Sequence, residues 1–101
     1  MTGEKISKEV YLSKMAENLS MLRTKLGLTQ EALCNIAGVS RQTIVQAERN
    51  KKLSWNTYLS LVFIFSQSPE TKALLDFLGI FPKEFVTLFE PTQPDLQKEV
   101  L

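Results

Sequence analysis

Two short helical patterns stand back to back between Thr29 and Asn50, parted only by Gly38 and Val39. So short a connection forces a sharp turn, and Gly38 supplies the positive φ that such a turn needs. Thr29 can cap the first pattern through the free amides of Gln30, Glu31 and Ala32. Glu31 in the first turn suits the helix dipole. Leu33, Ile36 and Ala37 form its apolar stripe. Ser40 caps the second pattern, Arg41 to about Arg49, with Ile44 and Ala47 buried and Val39 closing the turn from outside. Asn50 tolerates the left-handed conformation and is expected to end it. Cys34 lies one turn before Gly38, where the helices pass close and a small side chain fits. Arg41, Gln42, Val45, Gln46 and Arg49 are left facing outward.

The same alternation of cap, apolar steps and breaker continues on both sides. Leu12, Met15, Ala16, Leu19, Leu22 and Leu26 recur at three- and four-residue steps, predicting a first helix over 8–26 with Ser7 as cap and Gly27 as stop. Ser54 caps a fourth helix with Trp55, Tyr58, Leu59, Val62 and Phe63 inward. Ser68-Pro69-Glu70 opens a fifth, with Ala73, Leu74, Phe77 and Leu78 buried and Gly79 at its end. Pro82 can open a short sixth carrying Phe85, Val86, Leu88 and Phe89, while Pro91 and Pro94 oppose continuation into the tail. No strand-like alternation competes. The expected fold is all-α: five helices in residues 1–79, then a short helical extension over 80–101. With 101 residues, 44% of them hydrophobic, there is material for one core and one domain.

Composition narrows the chemistry. The chain has no histidine and one cysteine. The commonest general base and metal ligand is therefore missing, and neither a disulfide within the chain nor a thiolate zinc cluster can form. Cys34, on an apolar helix face, reads as a buried structural thiol rather than a nucleophile. Acidic residues show no paired spacing. No catalytic residues, metal or cofactor are expected. The longest mostly apolar run, Tyr58 to Phe65, falls well short of the roughly 20 residues that cross a bilayer. The start of the chain has no apolar signal region, so a reducing cytoplasm is the expected compartment. The formal net charge is only +1, but it is unevenly spread. Residues 20–52 carry Arg23, Lys25, Arg41, Arg49, Lys51 and Lys52 against Glu31 and Glu48, whereas residues 69–101 are net acidic. A basic middle points to a polyanionic partner for that segment alone.

Thr29-Gln30-Glu31, Gly38-Val39-Ser40, Thr43-Ile44 and Glu48-Arg49 together resemble the phage-repressor (Cro/repressor-type, or xenobiotic-response-element-type) helix-turn-helix DNA-binding family. The likeness extends over roughly residues 9–78, with the helix-turn-helix proper at 29–50. It implies double-stranded DNA as partner. Thr29 and Gln30 then stand where the family grips a phosphate at a helix start. Ser40, Arg41, Gln42 and Gln46 stand where members touch base edges in the major groove, arginine suiting guanine and glutamine adenine. Val45 either meets a thymine methyl or is partly buried. Asn50, Lys51 and Lys52 correspond to the loop that meets phosphates, and Arg23 and Glu48 to an internal ion pair. Three positions depart from the family pattern. Asn50 replaces a usual glycine, Lys51-Lys52-Leu53 lacks the usual proline, and Phe63 stands where a small residue is typical.

One helix-turn-helix makes few base contacts, so a homodimer on a near-palindromic operator is expected, acting as a transcriptional regulator. Phe81, Phe85 and Phe89 form one stripe beyond the family core. They fit a dimer seam or a return onto the chain's own core. The other open role is a protein-interaction module of the same fold, antitoxin-like or adaptor, whose main partner is another protein.

Overall fold

The computed structural model of the chain describes residues 7–82. They form five helices: α1 (Lys8–Lys25), α2 (Gln30–Ala37), α3 (Arg41–Asn50), α4 (Trp55–Phe65) and α5 (Pro69–Phe77). No strand occurs among the described residues, and the fold is all-α. Hydroxyl caps set three of the helix starts. Thr29 accepts from the Ala32 amide at 3.0 Å, Ser40 from Thr43 at 3.1 Å and Ser54 from Thr57 at 3.1 Å. Each satisfies an amide that the first turn leaves without an intrahelical partner. Pro69 opens α5 as expected, but Ser68 before it makes no side-chain capping bond. Ser7 precedes α1 but makes no side-chain capping bond.

Gly27 and Gly38 both adopt the left-handed conformation, at φ 72 and 74. The end of α3 differs from expectation by one residue. Asn50 is still helical, and Lys51 takes the left-handed position at φ 58.

Met15, Leu19 and Leu22 of α1 are fully buried and run along the centre of the core. Around them α1 packs on α3, α4 and α5, α2 packs on α3 and α4, and α4 packs on α5. The buried faces of α2, α4 and α5 are rotated from those the sequence suggests. On α2 the core residues are Leu33 and Cys34, and Ile36 is 58% exposed. On α4 they are Thr57, Tyr58, Leu61, Val62 and Phe65, and Phe63 is 66% exposed. On α5 they are Thr71 and Leu75, while Ala73 is exposed and Phe77 points to solvent. Thr71 enters the core because its hydroxyl donates to the Phe65 carbonyl. Tyr58 donates in the same way to the Ile80 carbonyl. No buried side-chain nitrogen or oxygen among the described residues lacks a partner. The core runs on past α5, with Ile80 and Pro82 buried. Phe81 packs against it half-buried, with Lys72 Nζ 5.8 Å from its ring centroid. Phe85 and Phe89 lie outside the described residues.

Candidate nucleic-acid interface

Helix α3 is fixed from beneath and open above. Ile44 and Ala47 are fully buried, anchoring one side on α1 and α2. Burying a side chain like Ile44 contributes on the order of 1.5–3 kcal/mol. Glu48 supplies a polar anchor on the same helix. Its carboxylate accepts from Arg23 Nε at 2.7 Å, from Arg23 Nη2 at 3.2 Å and from Gln30 Nε2 at 2.9 Å. Arg23 Nη1 also donates to the Leu28 carbonyl at 2.8 Å. One half-buried cluster thus ties α1, the connection before α2, the start of α2 and α3 together. Arg23 and Glu48 are the pair expected from the sequence. The amide of Gln30, a residue expected at a phosphate, is joined to that pair.

Arg41 and Gln42 are exposed at the start of α3 and make no side-chain hydrogen bond or ion pair among the described residues. They face different sides. Arg41 lines an open cleft of about 410 Å³ with Arg23, Thr29, Gln30 and Glu31, at the N-terminus of α2. Gln42 and Gln46 line a second cleft of about 470 Å³ with Thr43, Lys52, Leu53 and Ser54. Ser40 is engaged as cap, and its hydroxyl also pairs with that of Thr43 at 2.9 Å. Thr29 is likewise a cap, its hydroxyl proton remaining a donor. Val45 is partly buried.

Beyond α3 the expected phosphate residues divide. Lys52 is exposed, with no side-chain partner among the described residues. Lys51 folds back, its ammonium donating to the Glu48 carbonyl at 2.8 Å and covering the helix end. The Asn50 side chain turns onto α3 and donates from Nδ2 to Gln46 Oε1. Thr43 lines the second cleft beside Gln42 and Gln46, a place the sequence did not single out for it. Its spacing of three from Gln46, one helical face, is the signal that could have found it.

Cys34 is buried, and its thiol donates to the Glu31 carbonyl at 3.1 Å. Among the described residues no three histidine, cysteine or acidic side chains gather as a metal site requires. No helix among them is long and apolar enough to cross a membrane.

Residues 19–54 match the family model described as Helix-turn-helix. The matched span, from mid-α1 to the cap of α4, is similar to the Cro/repressor-type DNA-binding helix-turn-helix. No curated protein and no solved structure matches the chain.

Proposed function

We propose that the chain is a sequence-specific transcriptional regulator that binds a near-palindromic DNA operator as a homodimer. The observation that carries this is the α3 surface. It presents the exposed Arg41 and Gln42 and the half-buried Gln46 from a helix held below by Ile44, Ala47 and Glu48. Rigid placement matters because base readout needs donors and acceptors aimed before contact. With α3 in the major groove, Arg41, Gln42 and Gln46 reach base edges, and Ser40 sits at the helix entry. Thr29 and the α2 amides meet a phosphate on one side, with Gln30 steadying them through Glu48. Lys52, with the Lys51 backbone, meets the opposite strand. A single half-site offers few base contacts, each worth roughly 1–3 kcal/mol. A two-fold dimer doubles them and spaces the two α3 helices by about 34 Å, one turn of DNA.

A second role is favoured by one feature. Ile36 and Phe63, both exposed, border a groove of about 330 Å³ between α2 and α4, a surface suited to another protein. Selection from random double-stranded DNA at near-physiological salt decides between them. Recovery of a palindrome with fixed half-site spacing supports the regulator. A folded sample that enriches nothing supports the protein-interaction role.

A further inference from the structure

We propose that Asn50 is a positioning residue that sets which class of base Gln46 reads. The inference rests on the DNA-reading function above and extends it to the base recognised at one position. Residues 46 and 50 lie one turn apart on the same face of α3. Asn50 is the last residue of the helix, and the chain turns away at the left-handed Lys51 directly after it. Its side chain lies back along α3, with Nδ2 donating to Gln46 Oε1. Gln46 in turn borders the cleft shared with Gln42, Thr43 and Lys52.

The bond gives the two ends of the Gln46 amide different tasks. A free glutamine recognises adenine through both ends at once, its carbonyl accepting from N6 and its amide donating to N7. In Gln46 the bond turns the carbonyl toward Asn50 and so fixes the orientation of the amide, with the NH₂ group as the end directed away from Asn50. Donors match base edges built of acceptors, namely N7 and O6 of guanine or O4 of thymine, whereas adenine sets its N6 donor beside N7 and opposes a second donor. Gln46 therefore selects a guanine or thymine edge. Gln42 makes no side-chain hydrogen bond among the described residues, keeps both amide ends and remains suited to adenine. Two glutamines four residues apart are thus given different specificities by one asparagine.

The test is selection from random double-stranded DNA with the full chain, followed by binding to singly substituted duplexes. Gln46→Ala first identifies the base pair that Gln46 contacts. At that pair the unaltered protein should favour guanine or thymine over adenine. Asn50→Ala should reduce that preference about fivefold or more, the scale of one base contact, with preferences elsewhere kept. Asn50→Asp cannot donate. Its carboxylate accepts from Gln46 Nε2, turns the Gln46 carbonyl outward and moves the preference to the donor edges of cytosine or adenine. Circular dichroism on each variant confirms that the helices are intact. An unchanged preference at the Gln46 position in both Asn50 variants overturns the proposal. So does an equal loss on every sequence with Asn50→Ala, which marks a direct phosphate contact. If the unaltered protein selects no sequence, the DNA-reading function itself fails and this inference with it.

Discussion

Glu48 accepts three hydrogen bonds from two partners while its side chain is only 10% exposed, and Arg23 beside it is 16% exposed. Removing the carboxylate leaves a largely buried guanidinium uncompensated. Glu48→Ala should cost about 3 kcal/mol in urea unfolding, and Glu48→Gln, which keeps an acceptor for Arg23, distinctly less. Equal stability of the two variants would mean that a neutral acceptor contributes nothing and that the charge alone holds Arg23. Lys51 offers the opposite kind of change. It is the one non-glycine residue with positive φ among those described, and its exposed ammonium bond to Glu48 is weak compensation. Lys51→Gly should stabilise the fold by about 1 kcal/mol, seen as a raised Tm. These details were only partly legible in the sequence. Arg23 with Glu48 follows from the family pattern. The engagement of Gln30 and the turn of Asn50 onto Gln46 depend on side-chain rotamers that spacing alone does not specify.

The helices were far more legible than their faces. Boundaries follow from Thr29, Gly38, Ser40, Ser54 and Pro69, each a local signal whose physics involves only a few neighbours. Buried faces follow from contrast between apolar and polar positions, and α4 has little: residues 53–68 carry no charge. Phe63 therefore looked as suitable for the core as Phe65, and the packing against α1 and α2 chose Phe65. On α5 the buried Thr71 is the reason the expected face is rotated, since a polar residue enters the core only when an acceptor awaits it. Two substitutions separate these outcomes. Phe63→Ser should change stability by less than about 0.5 kcal/mol, whereas loss of a core phenylalanine costs about 3–5 kcal/mol. Tyr58→Phe should cost about 1–3 kcal/mol in thermal unfolding, because the Ile80 carbonyl is left buried without its donor.

At the scale of the whole molecule, charge separates the basic segment 20–52 from the acidic segment 69–101. Affinity for an arbitrary duplex should therefore be modest and salt-sensitive. If each half-site neutralises two phosphates, a dimer gives a slope of about −4 in log K against log salt. Binding that does not respond to salt would contradict phosphate contact by Lys52 and the α2 start. The central claim is that the exposed face of α3 reads base sequence. Its most direct test is a titration of the selected duplex and a scrambled one, with the unaltered protein and with Gln42→Ala combined with Gln46→Ala. The unaltered protein should prefer the selected duplex by about a thousandfold or more. The double variant should lose most of that preference while holding the scrambled duplex as before. Equal binding of both duplexes by the unaltered protein, or undiminished discrimination by the double variant, would contradict it.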